Sequence, residues 1–263
     1  MSLPTTVDGV ITRLREIDAE LPSDDGVAVF NRMYLTVTER IASIIAGPGA
    51  GTTTFGDAAT MAELDVRFAN LWLTAYDADA ARRSVPSAWR PLFDARGGGR
   101  VPVQYALAGM NSHIEHDLPI AVVDTCRAHG LEPADVHADY EAVNDVLAQV
   151  ESPVRRSFLD TVGRGVDDRL GPVVHLIGTW NIDKARDLSW VTVETLWALR
   201  RTGFLRDVFL DSLGDTVGMT SRALLTPTPE RGLQACPKGG WRLPLLGVLR
   251  HRPTGRKVPF GLQ

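Results

Sequence analysis

Apolar residues recur every three to four positions along most of the first 227 residues of this chain. That spacing puts them on one face of an α-helix, whereas a half-buried strand needs strict alternation, which is nearly absent here. Pro119 is expected either to kink one of the helices or to start its continuation to residue 128. The pattern predicts helices over residues 7–17, 30–44, 57–77, 102–118, 133–150, 182–201 and 204–213. The sequence therefore predicts an all-α fold, a multi-helix bundle.

Composition limits the class of protein further. A chain of 263 residues, 44% hydrophobic and 23% charged, can bury a substantial core and is not disordered. It has no apolar run near the roughly 18 residues of a membrane span, and its N-terminus does not resemble a signal peptide. Cys126 and Cys236 form neither a disulfide framework nor a zinc knuckle. We therefore expect a cytoplasmic protein that does not contact membranes.

The charge is distributed unevenly along the chain. Residues 228–263 contain seven of the 28 basic residues but only Glu230 of the 32 acidic ones, and this segment is rich in Pro and Gly. Residues 1–227 are left with 21 basic and 31 acidic side chains, and the whole chain has a net charge of −4. We predict a helical domain over 1–227 and an irregular basic C-terminal extension over 228–263. We do not expect nucleic acid as a partner.

One predicted helix carries a concentrated set of polar groups. At about 100° per residue, Asp117 lies about 40° from His113 on the helix surface, and His116 lies about 60° to the other side. Asp124 shares this face if the helix continues past Pro119. An imidazole and a carboxylate one turn apart can share a hydrogen bond, bind a divalent metal or perform acid–base chemistry. His113 and Asp117 are therefore candidate catalytic residues, and His113, His116 and Asp117 are candidate metal ligands.

The His-x-x-x-Asp spacing of His113 and Asp117 is similar to that of the helical zinc-dependent phospholipase C and single-strand nuclease family. That resemblance implies a divalent metal that activates water for hydrolysis of a phosphate ester. Those enzymes use several more His ligands and an N-terminal Trp, and this chain has no matching set. A divalent metal is thus one of three alternatives for this cluster, beside a structural hydrogen bond and metal-free catalysis.

Asp65 is a third candidate catalytic residue because of its neighbours on the third predicted helix. A carboxylate on a buried apolar face is unfavourable unless it is paired or ligated. The apolar residues that share its face are Met61, Phe68, Trp72 and Tyr76. The candidate partners from elsewhere in the chain are Arg32, Arg90, His113 and a metal ion. The alternative to a functional role is a buried Asp–Arg pair that ties two helices together.

Aromatic residues on the third and sixth predicted helices are candidates for a substrate pocket. The sixth helix has apolar residues on nearly all sides and alternates charged with aromatic residues along one face. Such a face is typical of a pocket lining or of a subunit contact. The predicted pocket residues are Trp72, Tyr76, Trp190, Glu194 and Trp197. The alternative for the charged residues is that they only form salt bridges along the helix.

Four segments resemble those of an uncharacterised helical protein family of actinobacteria. The most distinctive contains the His-x-x-His-Asp-Leu-Pro motif that begins at His113. The segments are Phe30–Tyr34, Leu64–Asn70, Trp89–Phe93 and Gly109–Pro119. The resemblance covers about residues 25–200, implies a helical fold and implies no particular activity.

These observations leave three functions open. The first is a hydrolase that uses His113, Asp117 and Asp65 with a divalent metal to cleave a phosphate or other ester. The second is a metal-free acid–base cyclase, isomerase or lyase of bacterial secondary metabolism that uses the same residues. The third is a non-catalytic binding or assembly module whose polar interior only fixes the helix register. We expect a small molecule as the partner of either enzyme, and a homo-oligomer is compatible with all three functions.

Overall fold

The computed structural model describes residues 2–47, 55–147 and 182–227. Every regular element within these residues is helical, which confirms the all-α fold. A π-helical turn, His113–Asp117, joins the fifth helix to the sixth without a break. The helices are α1 (Val7–Glu20), α2 (Gly26–Ile45), α3 (Ala58–Ala80), α4 (Arg90–Ala95), α5 (Pro102–Ser112), α6 (Leu118–His129), α7 (133–147), α8 (Ile182–Ala198) and α9 (Gly203–Leu224).

Local sequence signals set several of the helix ends. The side chains of Thr6, Asp25 and Asp57 each accept a hydrogen bond from a backbone N–H in the first turn of the helix that follows. After the last residue of α6, Gly130 adopts the left-handed conformation with φ of 67°, which glycine tolerates best. The helices predicted over 57–77 and 182–201 are accordingly present within a few residues of their predicted ends.

The predicted extension 228–263 lies outside the described residues, as does the end of the helix predicted over 133–150. The domain boundary after residue 227 therefore stays a prediction. Among the helices that are described, none combines the length and the hydrophobicity that a membrane span requires.

The last helix is longer than the predicted range 204–213, because its second half packs against the rest of the fold at glycine, which an apolar pattern does not reveal. It continues to Leu224 as α9. Gly218 adds no side chain to the apolar pattern, yet a Cβ atom there would lie 2.5 Å from the backbone oxygen of Ser87. The missing side chain thus lets α9 approach the turn before α4. The side chain of Asn111 on α5 then donates hydrogen bonds to the carbonyl of Val217 and the hydroxyl of Ser221.

We expect Gly218→Ala to lower the free energy of unfolding by about 1–3 kcal/mol, since the new Cβ collides with backbone. Alanine is otherwise the better helix former, so propensity alone would stabilise the variant. Urea unfolding followed by circular dichroism measures the difference. Gly203→Ala is the matched control, because a Cβ there meets no atom within 4 Å. An unchanged or raised stability of Gly218→Ala would contradict the close approach of α9.

Two clusters of buried apolar residues form the interior. The first joins α1, α2, α4 and α5 to the second half of α3 and includes Trp72. The second joins the first half of α3 to α6, α7 and α8 and includes Tyr140. Phe68 and Met110 contact both clusters. Phe68 also stacks on His113, so the polar cluster lies at the junction of the two.

Candidate functional site

The π-turn holds the polar cluster, and Pro119 gives a local reason for it. Proline has no N–H, and in a regular α-helix its ring would clash with the carbonyl of Glu115, four residues back. The backbone N–H of Leu118 bonds instead to the carbonyl of His113, five residues back. The sequence predicts a disturbance at Pro119 but not this form of it, a widened turn of a kind often found at functional sites.

Asp117 is the centre of a buried hydrogen-bond network. Its Oδ2 atom accepts a hydrogen bond from Nε1 of Trp89 at 2.9 Å and lies 3.1 Å from Nδ1 of His113. Its Oδ1 atom lies 2.7 Å from Nδ1 of His116. Asp117 and His113 are 1% and 3% exposed, respectively. The network fixes the His113 ring with Nδ1 toward the carboxylate and Nε2 directed away from it.

The surroundings keep Asp117 ionised and His113 neutral. Burial acts to raise the pKa of Asp117, but the hydrogen bonds from His113 and His116 outweigh it and hold this pKa below its ordinary value. Burial lowers the pKa of the His113 imidazole, and Asp117 opposes that effect only in part. At neutral pH the ring therefore donates Nδ1–H to Asp117, while Nε2 keeps a lone pair that can accept a proton.

Aromatic side chains from α2, α3 and the turn before α4 hold the His113 ring in place. Phe68 stacks on it with 3.6 Å between ring centroids and 9° between ring planes. Tyr34 meets it edge-on at 4.4 Å. Phe30 and Trp89 lie at 5.9 and 5.8 Å. The ring is thus fixed by packing as well as by Asp117, as a preorganised catalytic base requires.

A cavity of about 100 Å³ adjoins this ring. Its lining is mainly apolar and comes from α2, α3, α5 to α8 and the π-turn. The polar lining includes Tyr34, Asp65, His113 and Arg186. Three of its atoms, the hydroxyl of Tyr34, Oδ2 of Asp65 and Nε2 of His113, are buried and have no hydrogen-bond partner in the described part of the chain. Since buried polar atoms are normally paired, three unpaired ones around one cavity indicate a ligand site.

Asp65 lies at this cavity, one helical turn before the phenyl ring that stacks on His113. Neither candidate arginine pairs with it, because Arg32 and Arg90 bond to other groups. The residue as a whole is half-buried, yet burial raises the pKa of its carboxyl to about 7. Asp65 is therefore present in both its protonated and its ionised form near neutral pH.

Asp124 does not join the cluster, contrary to the regular-helix prediction. The π-turn contains one residue more than an α-helical turn, so the positions after it are rotated relative to a regular helix. The Asp124 side chain is 41% exposed and lies near Arg127 and Arg206. Glu115, which regular geometry turns away from His113, is half-buried, and burial raises the pKa of its carboxyl group to about 7.

The five predicted pocket residues do not line the cavity. The bulky aromatic side chains fill space between helices, so they belong to the packing and not to the void. Trp72 stacks on Phe93, Tyr76 bonds to Glu20, Trp190 packs on Tyr140, Trp197 donates to Glu132, and Glu194 is exposed.

Sequence reasoning missed three residues of the site: Tyr34, Trp89 and Arg186. The first two belong to segments that carry the family resemblance, Phe30–Tyr34 and Trp89–Phe93, and this was the available signal. Arg186 lies on the face of the sixth predicted helix that alternates charged with aromatic residues, and the sequence left a pocket lining, a subunit contact and salt bridges along the helix open for it. Its side chain turns inward, where Asn144 and Tyr140 on α7 accept its hydrogen bonds.

The predicted metal ligands are engaged with one another. Both oxygens of Asp117 and the Nδ1 atoms of His113 and His116 take part in the network above. Within residues 2–47, 55–147 and 182–227, no group of three or more His, Cys, Asp or Glu side chains is placed to hold a metal ion. A metal bound by these ligands would have to displace the hydrogen bonds or use the Nε2 atoms.

Comparison with known proteins identifies a family but not an activity. No curated protein and no solved structure matches the chain. One family model matches residues 7–227, a range that contains every described helix and all the cavity-lining residues. The chain therefore belongs to DUF5995, a family of unknown function.

Proposed function

We propose that this protein is a metal-free acid–base enzyme that removes a proton next to a carbonyl group in a small, largely apolar molecule. The observation that carries the proposal is the environment of His113. Its Nδ1 is held by a buried carboxylate, while its Nε2 is buried without a partner among the described residues. A carboxylate that orients a neutral imidazole in this way prepares the other nitrogen to take up a proton.

Tyr34 and Asp65 supply the acids that this reaction needs. Loss of the proton leaves negative charge on the carbonyl oxygen, which must be stabilised by hydrogen-bond donors. Burial, and after it the charge of Asp65, raises the pKa of Tyr34 well above its ordinary value, so the hydroxyl stays protonated. The protonated form of Asp65 is a second donor on the same cavity. An apolar site that keeps a carboxyl group neutral for this purpose is a known catalytic device.

The proton balance makes isomerisation the simplest outcome. Nε2 of His113 takes the proton from one carbon and returns it to another, so no co-reactant is needed. The cavity of about 100 Å³ is smaller than the roughly 150 Å³ cavity that holds benzene. We therefore expect the enclosed part of the substrate to have about five non-hydrogen atoms.

The two other functions have less support from the same geometry. A metal-dependent hydrolase, which the similarity to zinc-dependent phospholipase C suggests, would have to break the network around Asp117 or bind its metal through the Nε2 atoms of the histidines. A non-catalytic module has no need to gather unpaired polar atoms around one cavity, and three of the nine buried unpaired side-chain atoms in the described residues lie on this cavity.

Butanone, which has five non-hydrogen atoms and exchangeable hydrogens beside its carbonyl, tests the proposal. In D₂O near neutral pD the wild-type protein should accelerate the loss of these hydrogens from the proton NMR spectrum. His113→Gln should reduce the protein-dependent rate at least tenfold, because an amide cannot take up the proton.

His129→Gln is the matched control for this measurement. His129 bonds to Glu63 at the surface, so its replacement should leave the exchange rate unchanged. Equal rates for wild type and His113→Gln, both folded by circular dichroism, would refute acid–base catalysis by His113. An exchange rate that a chelator abolishes would refute the metal-free mechanism.

A further inference from the structure

Arg186 is a buried cation on the wall of the same cavity. It is 4% exposed. Its Nε atom donates to the side-chain oxygen of Asn144, and its Nη2 atom donates to the carbonyl of Tyr140. The guanidinium also lies 4.1 Å from the centre of the Tyr140 ring. These partners satisfy hydrogen bonds, and none of them carries a negative charge.

Within residues 2–47, 55–147 and 182–227, the charge of Arg186 is therefore not neutralised by a carboxylate in contact with it. Three carboxylates act on it from a distance, those of Glu141, Asp183 and Asp187, and all three residues are exposed to solvent. No carboxylate of the described residues lies within ion-pair distance of the guanidinium. Burial lowers the pKa of Arg186 accordingly. A buried charge without a counterion is unfavourable, and an anionic ligand would remove that penalty.

The rest of the cavity limits what this anion can be. Its wall is mainly apolar and its volume is about 100 Å³, so a large, strongly hydrated phosphate ester fits it poorly. A carboxylate on a short hydrocarbon chain matches both the apolar wall and the planar guanidinium, which binds carboxylates through paired hydrogen bonds. Among the described residues, Asn144 and Tyr140 accept from Nε and Nη2 of Arg186, and no described residue bonds to Nη1, the atom to which we assign such a ligand.

We infer that the substrate is a small aliphatic carboxylate, bound through its charge to Arg186 with its reacting carbon toward His113. Carboxylate binding follows from Arg186 alone, and the identification of this ligand as the substrate rests on the proposed function. Arg186 is thereby the specificity-determining residue of the site.

Propanoate and propanamide test this inference, because they share the same five non-hydrogen positions and differ in charge. In NMR titrations of the wild-type protein, propanoate should bind at least tenfold more tightly. In Arg186→Met the two affinities should become equal. The matched control is Arg127→Met, which removes a half-exposed cation outside the cavity and should keep the tenfold preference.

Several results would overturn the inference. They are equal affinities in wild type, no binding of propanoate at millimolar concentration, or an undiminished preference in folded Arg186→Met. If Arg186→Met does not fold, Arg186→Lys keeps the charge without the paired geometry, and it should retain a smaller preference for propanoate.

His113→Gln separates this inference from the proposed function. This variant should lose butanone exchange and keep the preference for propanoate. If butanone exchange depends on His113 but the protein does not prefer propanoate to propanamide, the proposed carboxylate substrate is wrong and the acid–base function stands. A propanoate preference in a protein without exchange would refute the acid–base function and leave a carboxylate-binding site.

Discussion

Replacing Asp65 by asparagine should stabilise the protein by up to about 4 kcal/mol at pH 8 and change its stability little near pH 4. The carboxyl group has a pKa of about 7 in the folded protein because of burial, against about 3.9 in an unfolded chain. Between these two values the unfolded state has released its proton while the folded state still holds it. The contribution of Asp65 to wild-type stability therefore falls as pH rises from about 4 to 7 and is constant above that range.

Asparagine has a similar shape and no charge, so it removes this pH dependence. Urea unfolding of both proteins at several pH values between 4 and 8 gives the difference directly. Asp94→Asn is the control, since it makes the same change at an exposed position and should alter stability by less than about 0.5 kcal/mol throughout. A constant difference between Asp65→Asn and wild type would show that the carboxyl group is solvated in the folded protein. If Asp65 also donates to the substrate, the more stable variant should be less active, as is common at functional sites.

Replacing Asp117 by alanine should destabilise the protein by about 3–5 kcal/mol, in the opposite direction to Asp65→Asn. The substitution leaves the indole N–H of Trp89 and Nδ1 of His113 buried without their acceptor, and a buried group that loses its charged partner is strongly unfavourable. Asp124→Ala provides the comparison along the same continuous helix. Its carboxylate is 41% exposed and its ion pairs are long, 3.8 and 4.0 Å, so its loss should cost about 0–1 kcal/mol.

Thermal or urea unfolding distinguishes the two aspartates. Similar losses for Asp117→Ala and Asp124→Ala would mean that the network around Asp117 is hydrated and does not hold His113. The results for Asp65 and Asp117 also separate the roles of the two residues. The surroundings stabilise the ionised form of Asp117, which holds the ring of His113. They stabilise the protonated form of Asp65, which can donate a proton to a ligand.

Much of the fold follows from local pattern. The helix that carries Asp65 spans Ala58–Ala80 where periodicity predicts 57–77, and Asp57 caps its start, because both periodicity and capping act within a few residues. The prediction of α9 ended too early for the same reason, because the contact that explains its second half is not local in the sequence. Gly218 contributes nothing to an apolar pattern, and its value appears only when the backbone of Ser87 is beside it.

In the candidate site, too, some features follow from local spacing and others do not. The spacing of His113 and Asp117 places them one turn apart in any helix, and the apolar neighbours of Asp65 predict its burial. The rotation that removes Asp124 depends on the π-turn, which a fixed angle per residue cannot anticipate.

The sequence by itself thus determined an all-α chain in which an imidazole and a carboxylate share one helix face, since both depend on spacing along the chain. Only the tertiary structure decided what surrounds them. Trp89 reaches Asp117 across 28 residues, and Arg186 reaches Tyr140 across 46. Which residues meet at such separations depends on how whole helices pack, and helical periodicity fixes the face that each helix buries but not the partner it buries it against.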